Sequence, residues 1–413
     1  MNLLKKGSFI FFTALMLRII ASFLVGDKMI DMEFNVLVTN FINGNGFSYW
    51  AVTPDGNLTY EIVENASKYF PSAYMPVLYP LFLAMIVSLI GYTKFSVFII
   101  LILQSLLGAF SCLLIKNLYE LKFDKKNSFI IAWLAAFFPL HILMSTQTSA
   151  SNLYVFLIIV VLYTYHLLIK SNSSKIAISL GACLGLLTLS RADAILLIPA
   201  IFILITFFHK AVNLKNRLLI ILFSLIVIIP YSARNYYHFE FFYPLTVSGG
   251  YNLWIGNNKD STGSNYSGQN VRSEELMNKI SSLEKNKMYE KNLDEIYKQE
   301  AITFIKENPI RVVQLSMKKI IFFWVHIYDK NVKYPGLNNI LYWGPWIAML
   351  PFFLFSLPSV LKNYRKNELE IFMILYFTFV YSVFFVLPRY RLIVLPIYLI
   401  YSFYYINKKL PEH

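Results

Sequence analysis

Apolar residues fall into twelve windows along the chain, at residues 8–26, 76–91, 96–119, 128–145, 152–169, 175–189, 192–209, 216–232, 316–328, 339–360, 370–387 and 391–407. Most approach the roughly 20 residues that carry an α-helix across about 30 Å of hydrocarbon. Within each window the apolar run is continuous, not alternating, which excludes a transmembrane barrel. The pattern predicts an all-α polytopic membrane protein with one integral membrane domain over residues 1–413.

Two windows depart from this length. The one at 76–91 is short and opens in a stretch punctuated by Pro71, Pro76 and Pro80, and the one at 316–328 is shorter still and carries Lys318 and Lys319 near its start. Both read as helices lying at the interface, which leaves about ten transmembrane helices.

Charge placement supports that count. With the amino terminus inside, sixteen basic residues fall on the short inside segments: Lys5, Lys6, Lys116, Lys122, Lys125, Lys126, Lys170, Lys175, Lys210, Lys215, Arg217, Lys362, Arg365, Lys366, Lys408 and Lys409. The acids there are Glu120, Asp124, Glu368, Glu370 and Glu412. Counting 76–91 as a span would carry the basic loops between residues 116 and 217 to the outer face, against the positive-inside rule.

Two large extracytoplasmic loops follow, 27–95 and 233–338. The first holds six acids, Asp27, Asp31, Glu33, Asp55, Glu61 and Glu64, against three lysines. In the second, Leu276, Ile280, Leu283, Leu293, Ile296, Phe304 and Ile305 recur at roughly helical spacing up to Asn308 and Pro309, which predicts two polar helices over 273–308.

Composition agrees with a membrane protein: 57% of residues are hydrophobic and 15% charged, against roughly 25% charged in soluble domains. The net charge of +14 reports loop orientation and contact with membrane lipids, and no nucleic-acid module is visible. Cys112 and Cys183 both lie in apolar windows, so the outer loops hold no disulfide and packing is the expected role of both. The first apolar run is long for a signal peptide and lacks a small-residue cleavage site, so it reads as an uncleaved first span. The expected location is the plasma (inner) membrane, with the working face outside.

The candidate chemistry is sparse. Four of the nine arginines, Arg191, Arg234, Arg389 and Arg391, sit at outer ends of spans, a placement the positive-inside tendency discourages. Guanidinium forks suit phosphate oxygens, although for any single arginine there snorkelling to lipid phosphate is the better reading. Arg389 and Arg391 flank Tyr390 in a tight turn, residues 388–391 (PRYR), and there function is favoured over snorkelling. Asp31 and Glu33, just after the first span, suit a general base or a pair of ligands for a divalent cation, while solvated surface is the plain reading. Gly44 and Gly46 allow positive φ in the turn-rich stretch that follows. Asp193 reads as the ion-pair partner of Arg191. The six histidines show no metal-ligand spacing, and no phosphate-binding glycine loop or nucleophile elbow is present.

Several segments in order along the chain carry a resemblance: residues 31–34 (DMEF) and 43–48 (NGNGFS), 79–84 (YPLFLA), 190–193 (SRAD), 230–235 (PYSARN), 249–258 (GGYNLWIGNN) and 388–391 (PRYR). Together they resemble the polytopic GT-C glycosyltransferases of the protein-mannosyltransferase and aminoarabinose-transferase-like group, which use polyprenyl-phosphate sugars. The resemblance implies a GT-C-like fold and a catalytic acid in the first outer loop. It also implies sugar transfer on the non-cytoplasmic face, to an acceptor that the sequence leaves unnamed. Carried over, Asp31 is the base and Glu33 its neighbour. Arg234, Arg389, Arg391 and Arg191 bind the donor phosphate, and Tyr251, Asn252 and Asn257 form the substrate loop. The family often has a second acid between the third and fourth spans. Here residues 145–152 (STQTSASN) hold no carboxylate, which weighs against a bridging metal, so no cofactor is expected beyond the cation that Asp31 and Glu33 leave open.

The chemistry fits this implied role: a base takes the acceptor proton, cations steady the leaving phosphate, and a single displacement inverts the anomeric centre. Two other classes compete, a polysaccharide polymerase or ligase fed by a lipid-pyrophosphate glycan, and a lipid-sugar transporter. Only Arg18 lies well within a span, which disfavours the transporter.

Overall fold

The computed structural model describes residues 6–63, 65–123, 125, 127–264, 273–325 and 336–409. Lys5, Glu64, Asp124, Lys126 and Glu412, named above, lie outside the described residues, as does the end of the window at 316–328.

Helix α1 (Gly7–Val25) packs along α4 (Lys94–Lys122). Between them lies the first outer segment, and it departs from the all-α expectation. Helix α2 (Met32–Ile42) starts on Asp31, whose side chain caps it by accepting from the Glu33 N–H (3.2 Å). Gly44 and Gly46, at φ +80° and +70°, then turn the chain into a three-stranded antiparallel sheet. Its order is β2 (Leu58–Thr59), β1 (Ser48–Val52), β3 (Lys68–Pro71). Helix α3 (Leu78–Ile90) follows, 13 residues long.

The window at 128–145 breaks at Pro139 into α5 (Ser128–Phe137) and α6 (Pro139–Leu143), with a bend of 59°. Proline has no N–H to continue the ladder. The bundle continues through α7 (Ser151–Ser171), α8 (Ser174–Ser190), α9 (Leu197–Phe208) and α10 (Leu214–Phe239). The second outer segment supplies α11 (Gly249–Gly256), then α12 (Glu274–Ser281) and α13 (Tyr289–Glu307), the two polar helices the spacing predicts. Helix α14 (Pro309–Trp324) begins directly at Pro309, seven residues before its apolar window. The last three helices are α15 (Gly336–Lys362), α16 (Glu368–Val383) and α17 (Leu395–Lys409), with Trp346 of α15 stacked on Tyr398 of α17 at 3.9 Å between ring centres.

Five helices, α1, α4, α7, α10 and α15, are each long and apolar enough to cross a membrane, and the bent α5–α6 pair makes a sixth. Outward faces carry exposed Leu89, Phe207, Ile229 and Phe379, an apolar surface suited to lipid.

Candidate active site

The outer end of α1 is tied to the loop before α7 by a short set of bonds. Asp27 accepts from the N–H (2.7 Å) and hydroxyl (3.0 Å) of Thr148, and the Asp31 N–H donates to that same hydroxyl (3.0 Å). Asp27 is thereby committed to holding the backbone. Asp31 uses one carboxylate oxygen as a helix cap and is exposed. The loop where the resemblance leads one to seek a second acid does reach Asp31, but it brings Thr148.

Glu33 sits one step further along α2, exposed to water yet partly surrounded by protein. That partial desolvation raises its pKa, the Asp31 charge raises it further, and Arg389 pulls it back. Arg389 is therefore within electrostatic reach of Glu33, although 356 residues separate them in sequence. Tyr49 and Tyr74, stacked at 5.2 Å, both feel the Glu33 charge, and burial raises both phenols. Tyr251 meets Tyr74 at 6.3 Å. The Glu33 carboxylate thus lies within electrostatic reach of Asp31, Arg389, Tyr49 and Tyr74.

The remaining arginines are engaged elsewhere. Arg191 forms a charge-assisted fork on Asp193 (2.9 Å) and donates to the Tyr381 hydroxyl (2.9 Å), with the Tyr390 ring 4.6 Å from its guanidinium carbon. This is the ion pair that the sequence spacing implies. Arg391 is 1% exposed and donates to the carbonyls of Phe322 (2.9 Å) and Val325 (3.3 Å), under the Trp343 ring. Arg234 donates to the carbonyls of Ser72 (2.7 Å) and Phe47 (3.0 Å), tying together the end of β3 and the start of the central strand β1. The four do not converge. Arg191 and Arg391 hold the 388–391 turn on either side, and Arg389 alone of the four is exposed, with no hydrogen bond or ion pair among the described residues.

Of the substrate-loop candidates, Tyr251 lies closest to Glu33's surroundings, its ring against Tyr74. Asn257 is buried, donating to the carbonyls of Leu253 (2.8 Å) and Val383 (2.9 Å) and accepting from Lys319 (3.3 Å), and it fastens α11 to α14 and α16. Asn252 is half-buried on α11, its N–H bonded to the Ser248 carbonyl. The start of α11 is covered by Asp294, which accepts from the N–H groups of Gly250 (3.0 Å) and Tyr251 (2.8 Å). A carboxylate therefore takes the place an anion would have sought there.

Glu290, one turn before Asp294 on α13, accepts from the Ser72 hydroxyl (2.6 Å) and the Ala73 N–H (2.8 Å), and burial pushes it up to about 7. Sequence reasoning passed over Thr148, Glu290 and Asp294. The four-residue spacing of the two acids puts both on one face of α13 and was the available signal. Among the described residues no group of three or more His, Cys, Asp or Glu is placed to hold a metal, so Asp31 and Glu33 offer a cation two carboxylates at most.

The sequence pattern of the dolichyl-phosphate-mannose-protein mannosyltransferase family matches residues 75–234, from just after the outer-loop sheet to Arg234. No curated protein matches the chain significantly. Among solved structures, the oligosaccharyltransferase of Archaeoglobus fulgidus in its apo form aligns with a TM-score of 0.57 at 13% identity, over 98% of this chain and 51% of that one. Archaeal oligosaccharyltransferase AglB from the same organism, in complex with an inhibitory peptide and a dolichol-phosphate, aligns at 0.55 and 12% identity, over 96% and 50%.

The chain has a GT-C fold.

It spans about half the length of these oligosaccharyltransferases. ArnT from Cupriavidus metallidurans bound to undecaprenyl phosphate aligns more loosely, with a TM-score of 0.42 at 10% identity over 97% and 78%. The GT-C fold and the family match together bear out the resemblance read from the sequence.

Proposed function

We propose that the protein is a glycosyltransferase that moves a monosaccharide from a polyprenyl-phosphate carrier to an extracytoplasmic acceptor with inversion. The observation that carries this reading is that Glu33, next to the helix cap Asp31, lies within electrostatic reach of both Asp31 and Arg389. The family match and the AglB complex with a dolichol-phosphate support a lipid-phosphate carrier.

In this reading ten spans and two interfacial helices, α3 and α14, carry the chain through the membrane, and the two large loops enclose the site on the outer face. Asp31 takes the proton of the acceptor hydroxyl as its oxygen bonds to the anomeric carbon. The bond from that carbon to the phosphate oxygen breaks, and polyprenyl phosphate leaves with both electrons. Arg389 offsets the charge that develops on the phosphate. Glu33, beside Asp31 and within electrostatic reach of Arg389, is placed to hydrogen-bond the sugar or the phosphate. Tyr74 and Tyr251 present aromatic faces to the sugar ring. Arg191, Arg234 and Arg391 act as positioning residues for the loops that bear the site.

The test is transfer from a panel of synthetic polyprenyl-phosphate sugars by the protein in lipid nanodiscs, wild type against Asp31→Asn at equal folding. Turnover that disappears in the variant supports the reading and names the sugar. Turnover only with lipid-pyrophosphate glycans moves the protein to the polymerase or ligase class. Movement of lipid-linked sugar across the bilayer without transfer makes it a transporter.

A further inference from the structure

A row of aromatic rings leads from the surface of the outer loops toward the surroundings of Glu33. Tyr60, directly after β2, is 46% exposed. Its ring stacks on Tyr49 of β1 at 6.0 Å and 7°, and Tyr49 stacks in turn on Tyr74 at 5.2 Å and 18°. Trp50 meets the Tyr60 ring at 5.6 Å and 82° and reaches Tyr289 of α13 at 5.1 Å, so both outer loops hold the row.

Packing alone does not account for three tyrosines here, because phenylalanine would stack as well and leave no hydroxyl to satisfy. The hydroxyls of Tyr49, Tyr60 and Tyr74 have no hydrogen-bond partner among the described residues. Unlike the neighbouring Trp50 Nε1, those of Tyr49 and Tyr74 are not enclosed by protein. Tyr49 feels the charge of Glu33 and the phenols of Tyr60 and Tyr251, and Tyr74 feels Glu33, Tyr251 and Tyr49. The hydroxyl ends therefore lie near one another and near Glu33.

An exposed ring beside open hydroxyls, each able to donate and to accept, matches a pyranose, which has an apolar C–H face and a rim of hydroxyls of the same kind. Length separates acceptor from donor. The donor of the reaction proposed above brings one monosaccharide, and Tyr60 stands two ring spacings from Tyr74, so only a longer chain uses both. Charge and topology narrow the class further. Among the described residues no lysine or arginine lies over a ring of the row, and the fixed charges that Tyr49 and Tyr74 feel are those of Glu33 and Glu290. Such a row repels an anionic acceptor. Tyr49 stands on the central strand, paired on both sides, so an extended peptide finds no free edge there.

We infer that Tyr60, Tyr49 and Tyr74 form a platform for an acceptor that is a neutral glycan of at least two sugar units. The far sugar stacks on Tyr60, the chain follows the phenol hydroxyls, and its terminal hydroxyl arrives beside Asp31 and Glu33. The role as acceptor site rests on the glycosyltransferase reading, and the binding itself does not.

The test is saturation-transfer NMR of the full-length protein in lipid nanodiscs. The probes are neutral tetrasaccharides of glucose, mannose and N-acetylglucosamine, the matching monosaccharides, tetragalacturonic acid and an uncharged tetrapeptide. Wild type is expected to saturate the ring C–H protons of at least one neutral tetrasaccharide. Tyr60→Ala is expected to weaken that binding about fivefold, the scale of one lost ring contact, with the monosaccharides and the melting temperature unaffected. Tyr60→Phe keeps the face and is expected to retain most of the affinity. Absence of transfer to every neutral tetrasaccharide, equal binding by Tyr60→Ala, or stronger binding of the galacturonic acid tetramer or the peptide would overturn the proposal. Tyr60-dependent glycan binding by a protein that turns over no polyprenyl-phosphate sugar would keep the platform and overturn the glycosyltransferase reading instead.

Discussion

Arg18 and His141 meet in the interior of the bundle, with the Arg18 Nη2 3.0 Å from His141 Nδ1. Arg18 is fully buried and has no carboxylate partner among the described residues. Its guanidinium instead donates to the carbonyls of Ala14 (3.0 Å), Ala135 (3.4 Å) and Ala136 (3.4 Å). The latter two are freed where α5 breaks before Pro139. A buried cation in a span reads by default as a functional group. Here it serves as the cap of a broken helix, at the bend of 59° between α5 and α6.

Gly108 makes room for that guanidinium. A methyl group at this position would stand 2.6 Å from Arg18 Nε and 2.9 Å from its Cδ. Gly108→Ala is therefore expected to displace Arg18 and lower stability by about 1–3 kcal/mol, measured as a drop in melting temperature in detergent. Arg18→Met, which frees the space but takes the guanidinium from the Ala136 carbonyl and leaves the Ala135 carbonyl with His141 Nδ1 (3.0 Å), is expected to destabilise by a similar amount. The double variant is expected to lose less than the sum, because both changes remove the same contact.

Thr148 stands between the bundle and the proposed base. Thr148→Val keeps the shape but removes the hydroxyl that bonds Asp27 and the Asp31 N–H. Turnover is expected to fall about tenfold, or ~1.4 kcal/mol of barrier, with a smaller change in melting temperature. Thr148→Ser, which restores the hydroxyl, is expected to recover most of it. A Thr148→Val protein with full turnover would show that Asp31 does not need this support.

The helical bundle was legible in the sequence because continuous apolar runs have few alternative folds in a membrane. The outer sheet was not: its strands at Ser48–Val52, Leu58–Thr59 and Lys68–Pro71 are short, and their pairing depends on Arg234, which arrives more than 160 residues later to hold the carbonyls at Ser72 and Phe47. The arginines show the same limit. Their placement at outer span ends marked them as unusual, and the Arg191–Asp193 pair was readable from local spacing. Whether a guanidinium faces a ligand or a backbone carbonyl is decided by long-range contacts. Arg391 is committed by carbonyls at the end of α14 and just beyond it, 69 and 66 residues away, and Arg389, two residues earlier, has no hydrogen bond or ion pair among the described residues.

Glu290 gives the outer loops a pH dependence whose sign follows from its environment. Burial raises its pKa from near 4.5 to about 7, with Asp294 pushing the same way and Arg234 opposing. The fold therefore favours the protonated carboxyl. Its contribution is fully present below the unfolded value near 4.5 and is lost as pH rises through about 7. Wild-type melting temperature is expected to decline between pH 5 and about 8, and Glu290→Gln, neutral throughout, is expected to show a flatter curve. Parallel curves for the two proteins would assign the decline to other groups.

Arg389 and Arg391 provide the sharpest separation of catalysis from support, because they share one turn and differ in every contact. Arg389 is exposed and within electrostatic reach of Glu33. Arg391 is buried against Trp343 and two carbonyls at the end of α14 and just beyond it. Arg389→Ala is expected to lower kcat by about 10²-fold, the scale of one lost charge-stabilising donor in a transition state, and to leave the melting temperature near wild type. Arg389→Lys keeps the charge but loses the fork, so partial recovery is expected. Arg391→Ala uncaps two carbonyls and empties the space beneath Trp343, so a loss of stability of about 2–4 kcal/mol is expected, with turnover falling only as folded protein is lost. Paired melting and single-turnover measurements separate the two. If Arg391→Ala lowers the single-turnover rate of fully folded protein as much as Arg389→Ala does, both arginines belong to the phosphate site and the division drawn here is wrong.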